Sequence, residues 1–223
     1  KVNILPLRFT IYVIGALFLA FGVVLNTRCN MGVSTVNCIP FVFSEASGIT
    51  LGQGCMLLYI IDVIIQIIVF RKLTLRIALQ IPFSFVMGLL VDMFDYCISS
   101  GILWFFQNSD MLMGSVMLIL GILFTGVGVS MVMSMNFVPN PPDGFTQALC
   151  KIMGLPFGRG KWLNDALRLI IAIALALIML GHIIGVGIGT VLCVFTIGNI
   201  CQFMDDHVGF LYRKVYNPLG IVD

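Results

Sequence analysis

Long apolar runs separated by short polar breaks organise this chain. Six stretches have few or no charges over a length near that of a bilayer crossing: about Phe9–Asn26, Met56–Phe70, Ile77–Phe94, Met111–Met133, Lys161–Leu180 and Ile183–Met204. A helix of about 20 apolar residues spans the hydrocarbon core, so each stretch predicts a transmembrane helix. Two further stretches, Ser34–Ala46 and Pro142–Met153, are apolar but only about 12 residues long, and Pro, Asn, Asp, Glu or Lys interrupts them. Such lengths predict re-entrant half-helices that enter the membrane and return. The first run is too long for a signal-peptide core and no small-residue cleavage site follows, so it is read as the first span.

Composition narrows the picture further. Of 223 residues, 60% are hydrophobic and only 10% charged, with mean hydropathy +1.10. Soluble domains carry about 25% charged residues, which excludes an ordinary globular enzyme. Six spans use roughly 120 residues at about 20 each, leaving one membrane domain and little else. Seven scattered cysteines without a CxxC pair and two histidines offer no metal or redox spacing, so no cofactor is expected. GxSxG, HExxH and P-loop patterns are absent, and no enzymatic activity is expected. Nor does anything suggest nucleic acid; the expected partners are the lipid bilayer, a small-molecule or ion substrate, and further copies of the chain in a homo-oligomer.

The basic residues orient the spans. With six crossings and both termini cytoplasmic, eleven of the 12 Lys and Arg residues fall inside, and only Arg28 lies outside. If the short stretches also crossed, Arg71, Lys72 and Arg76 would face outward. The positive-inside bias therefore favours six crossings.

Sliding the chain against itself by 106 residues reveals a repeat. Gly15, Leu17, Phe18, Gly22 and Val23 match Gly121, Leu123, Phe124, Gly128 and Val129, and Asn30 matches Asn136. Gly48, Gly52, Gly54 and Leu57 match Gly154, Gly158, Gly160 and Leu163. An offset of 110 then aligns Gly88 with Gly198 and Asp95 with Asp205, requiring four extra residues near His182. The halves are residues 1–100 and 111–206, followed by a cytoplasmic tail over 207–223. Each half reads span, half-helix, span, span. Three crossings per half place the second half upside down, the inverted-repeat plan of many secondary transporters. The expected fold is thus all-α and integral to the membrane: six transmembrane helices in two inverted three-helix repeats, each with a re-entrant half-helix after its first span.

The segments MGVSTVNCIPFVFSEASGITLGQG and NFVPNPPDGFTQALCKIMGLPFGRGKW resemble the repeat motifs of the YczE/YyaS/YitT family of bacterial membrane proteins. The second half matches better, through Pro142-Asp143-Gly144 and Gly154-Leu155-Pro156-Phe157-Gly158. The first half departs, with Asn37 where an Asp is frequent and Val36 where an aromatic or Arg often stands, so two matched carboxylates are not implied. The resemblance implies a multi-pass protein of the bacterial inner (plasma) membrane. It implies no substrate.

Candidate chemistry lies at the half-helix starts and inside two spans. Ser34, Thr35 and Asn37 begin one half-helix, and Asn140, Pro141, Pro142 and Asp143 begin the other. Two helix starts meeting at the midplane would present backbone donors and positive dipole ends to an anionic or carboxylate-bearing solute, whereas Asp143 would suit a cation or proton. Simple capping explains the same residue types. Asp62 and Arg168 are repeat equivalents within spans, where a charge costs roughly 2.5–3.5 kcal/mol unless it faces protein or water. They are expected to pair across the halves, as a gate or as a structural ion pair, with Asp165 competing for Arg168 from the same helix. The function expected is a small-solute transporter with its site between the halves. The alternatives are a channel, the substrate-binding subunit of a larger importer, and a non-transporting membrane partner.

Overall fold

The structure, a computed structural model, describes residues 5–107 and 110–207. All regular structure among the described residues is helical. The first half runs through α1 (Leu5–Arg28), α2 (Thr35–Ser47), α3 (Leu51–Phe70), the single turn α4 (Leu75–Ala78) and α5 (Gln80–Ser99). A 3-10 turn at Trp104–Phe106 leads to the second half, α6 (Met111–Ser134), α7 (Pro141–Met153), α8 (Phe157–Leu180) and α9 (Ile188–His207).

The helix boundaries repeat. α2 and α7 both have 13 residues, α1 and α6 end 106 residues apart at Arg28 and Ser134, and the starts of α2 and α3 lie 106 residues before those of α7 and α8. Local chemistry sets these boundaries alike in both halves. Gly48 and Gly154 end α2 and α7 at φ 69° and 65°, a left-handed conformation that glycine adopts without steric cost. Asn30 and Asn136 take φ 55° and 54° just after α1 and α6, and asparagine tolerates that region better than most residues. Pro141 and Pro142 occupy the first turn of α7, where a missing N–H leaves no hydrogen bond unmade.

The equivalent helices α1 and α6 pack antiparallel through glycines. A Cβ on Gly22 would fall 2.6 Å from the Thr125 nitrogen, and one on Gly128 would fall 2.6 Å from the Leu19 nitrogen. Leu19 and Thr125 are themselves repeat equivalents, so the two contacts are the same contact made reciprocally. Gly15 against Val132 and Gly121 against Asn26 form a second reciprocal set. A pair of elements related by a two-fold axis touches in this self-complementary way. Small residues at such crossings let the backbones approach. The core around this pair takes Leu19, Val23, Tyr59, Met87, Met117 and Val129 from α1, α3, α5 and α6.

Among the described residues five helices are long and apolar enough to cross a membrane, and the exposed perimeter carries large apolar side chains such as Ile68, Leu89, Ile119 and Ile178. This is a membrane protein. The last helix differs from expectation. Its apolar part, Ile188–Met204, is shorter than the other five, because 183–187 is not helical and Gly185 turns at φ 71°. The third expected span is broken at Leu79 between α4 and α5, one residue before Gln80 and three before Pro82. Of the expected tail, residues 208–223 lie outside the described residues.

Candidate functional site

After α1 the chain turns at Asn30 and folds back, so that α2 begins beside the interior of α1 and not at its end. The segment after α6 does the same through Asn136. The starts of α2 and α7 thus meet in one enclosed cavity of about 20 Å³, between Leu19 and Val23 of α1 and Thr125 and Val129 of α6. Much of its lining falls in repeat-equivalent pairs: Leu19 with Thr125, Val23 with Val129, Ser34 with Asn140, Asn37 with Asp143, and Tyr59 with Asp165. All five residues expected at the half-helix starts, Ser34, Thr35, Asn37, Asn140 and Asp143, border this cavity and are buried.

Neither Ser34 nor Asn140 caps its helix through its side chain: no backbone N–H of α2 or α7 donates to Ser34 Oγ or Asn140 Oδ1, although the two carbonyls accept from Asn37 N and Asp143 N. Instead Asn37 Nδ2 donates to Ser34 Oγ at 3.0 Å, and Asn140 Nδ2 donates to Asp143 Oδ2 at 3.3 Å. Each helix start therefore closes its own polar side chains into a ring. Asn140 Oδ1 and Asp143 Oδ1 are left without a hydrogen-bond donor.

Five charged side chains are fully buried among the described residues: Asp62, Asp143, Lys161, Asp165 and Arg168. Arg168 Nη2 donates to Asp62 Oδ1 at 2.6 Å, and Phe145 of α7 lies under the guanidinium, 6.0 Å from ring centroid to Cζ. Asp165 does not compete for Arg168. It pairs with Lys161, whose Nζ lies 3.2 Å from both Asp165 Oδ1 and Asp143 Oδ1. Neither of those oxygens takes a hydrogen bond in addition to this charge contact. Sequence reasoning placed Lys161 at a cytoplasmic span end and missed its role. In the structure it is 3% exposed, because α2, α7 and α9 pack against α8. The Lys161/Asp165 spacing of four residues was the available signal.

The two ends of the bundle differ. At the Arg28 end, two adjoining cavities of about 460 and 740 Å³ share Thr27, Asn30 and Phe41. The first reaches Val33, the chain neighbour of Ser34, while the second is lined by Arg28, Glu45, Asp92 and Asp95. Arg28 Nε donates to Asp95 Oδ1 at 2.6 Å on the wall of that vestibule. At the Arg8 end the segment entering α7 is tied down. Arg8 Nη2 donates to the Met135 carbonyl at 2.7 Å, Tyr12 Oη to Val138 at 2.8 Å and Arg76 Nε to Phe137 at 3.0 Å. Gln66 and Gln80 hydrogen-bond each other, and Gln66 Nε2 also reaches the Pro141 carbonyl at 3.2 Å.

No curated protein and no solved structure matches the chain. Nothing links it specifically to the YczE/YyaS/YitT proteins that its motifs resemble. A family model described as a family of unknown function matches residues 6–206, nearly the whole chain, and the protein belongs to that family, DUF6198.

Proposed function

We propose that the protein is a small-solute carrier of the bacterial inner membrane, with six spans in two inverted halves and both termini cytoplasmic. The observation that carries this reading is the central cavity: two short-helix starts, one from each half, converge on it beside a buried charge cluster of the second half. Secondary transporters place their solute and coupling-ion sites at such a junction. The antiparallel packing of α1 on α6 supports the inversion, since a two-fold axis lying in the membrane plane turns one half upside down.

At about 20 Å³ the cavity has room for roughly one water-sized particle, so this conformation is contracted around the site. The vestibule at the Arg28 end comes within one residue of Ser34, while the Arg8 end is sealed by the ties to residues 135–141. Loss of those ties and closure of the vestibule would expose the same site to the other side. A sealed end disfavours the channel alternative. The starts of α2 and α7 supply dipole ends suited to a carboxylate or carbonyl group on the solute.

A melting-temperature screen of the purified protein against small carboxylates, oxyanions and amines tests the reading. A ligand at 100-fold its dissociation constant adds about 2.7 kcal/mol of stability. The expected hit is weakened by Asn37→Ala and by Asp143→Asn. A flat screen on well-folded protein, with no flux in proteoliposomes, would turn the assignment toward a partner protein without transport activity.

A further inference from the structure

The buried charges do not sum to zero. Three aspartates against one lysine and one arginine leave one negative charge, and Asp62 with Arg168 forms a pair neutral in charge. The excess therefore rests on Asp143, Lys161 and Asp165, where one ammonium faces two carboxylates. An uncompensated charge in a closed, poorly polarisable setting is costly, so a mobile positive charge is favoured there.

The acceptor geometry says which kind. Asn140, Asp143 and Asp165 all border the cavity; Asn140 Oδ1 receives no hydrogen bond, and Asp143 Oδ1 and Asp165 Oδ1 share the one Lys161 ammonium at 3.2 Å. Asn140 is 3% exposed, so its bare amide oxygen is a buried acceptor in need of a partner. A proton would neutralise one carboxylate, but its O–H at Asp143 would meet the amide oxygen only with the Asn140 amide turned, which gives up the present donation from Nδ2. A water molecule would supply two donors but no charge. A hard metal cation contacts several oxygens at once and brings charge. Among the described residues no three His, Cys, Asp or Glu side chains converge as a metal site, and a single surplus negative charge suits a monovalent ion.

We propose that the cavity bounded by Asn140, Asp143, Lys161 and Asp165 binds one alkali-metal cation, with Lys161 neutralising one carboxylate and the ion the other. The site stands on the cluster's geometry; its role as the ion that drives uptake rests on the carrier reading. A site made neutral by the ion could then accept a carboxylate-bearing solute at the helix starts.

The test needs no solute. The melting temperature of the purified wild-type protein is followed in rising NaCl, KCl and LiCl against choline chloride of equal ionic strength at fixed pH. One alkali ion is expected to raise it saturably, by about 5–10 °C at 100-fold the dissociation constant. Asn140→Ala, which removes no charge, is expected to weaken the apparent affinity about tenfold, as is Asp143→Asn, while Arg28→Ala leaves it unchanged. Equal melting in every salt overturns the site, and so does a response to ionic strength alone or a shift produced only by acidification. If Asp143→Asn fails to fold, the Asn140→Ala comparison decides. Ion-specific stabilisation without solute flux keeps the cation site and removes the carrier. Solute stabilisation identical in sodium and choline keeps the carrier and removes the cation site.

Discussion

Arg168 Nη2 lies 2.6 Å from Asp62 Oδ1, and the two residues are the same position of the repeat, 106 residues apart. The proposed two-fold relation between the halves would bring equivalent positions close wherever its axis passes, and here the two bear opposite charges. Removing one partner of a buried pair strands the other. Asp62→Ala is therefore expected to cost about 3–5 kcal/mol, visible as a lower melting temperature. The exchange Asp62→Arg with Arg168→Asp is expected to recover part of that loss. If the exchanged protein melts no higher than either single variant, the pair is not what holds these positions.

The α1/α6 crossing depends on the absence of side chains at two reciprocal positions. A Cβ at Gly22 would meet Thr125 Oγ1 at 2.5 Å and its nitrogen at 2.6 Å, and one at Gly128 would meet Leu19 backbone. Backbone cannot rotate away as a flexible side chain can, so the helices must separate. Gly22→Ala and Gly128→Ala are each expected to destabilise by about 1–3 kcal/mol. Because the contacts share one crossing, the double variant should cost less than the sum. Strict additivity in thermal unfolding would count against a single shared crossing.

Five long apolar helices were legible because apolar runs of that length have few other uses, and the short helices α2 and α7 because Pro, Asn and Gly bound them. The Asp62–Arg168 contact was legible because two unusual charges fell at one repeat position. Lys161 was not. It stands near the start of α8, where a lysine ordinarily reaches water, and the packing of α2, α7 and α9 against α8 buries it. No local pattern states such a tertiary contact. The start of the last helix was misread for a related reason. Residues 183–187 are apolar enough for a span, yet Met31 and Gly32 press on Gly187 and Val33 N donates to the Gly185 carbonyl at 2.7 Å, which holds the segment out of the helix.

Lys161 is the one positive charge held between two aspartates, and its removal takes the buried cluster from one excess negative charge to two. Lys161→Met is expected to destabilise by about 3–5 kcal/mol, since it leaves Asp143 and Asp165 facing each other without a cation. Adding Asp165→Asn restores the original excess and is expected to recover most of the loss. Thermal unfolding of the three variants decides the matter. A Lys161→Met protein as stable as wild type would show that the ammonium does not hold the cluster.

The proposed inverted arrangement makes a prediction about sidedness that packing alone does not. Glu45 and Lys151 are exposed repeat equivalents near the ends of α2 and α7. If α2 returns to the outside and α7 to the cytoplasm, a cysteine at Glu45 reacts with a membrane-impermeant thiol reagent from outside only, and one at Lys151 from inside only. The background is a variant with the seven native cysteines replaced by alanine or serine. Thr27→Cys, on the wall of the vestibule, is expected to label from the same side as Glu45→Cys. Labelling of the Glu45 and Lys151 positions from one side would place the half-helices on the same face. The halves would then be parallel, and a carrier that works by exchanging the roles of inverted halves would lose its structural basis.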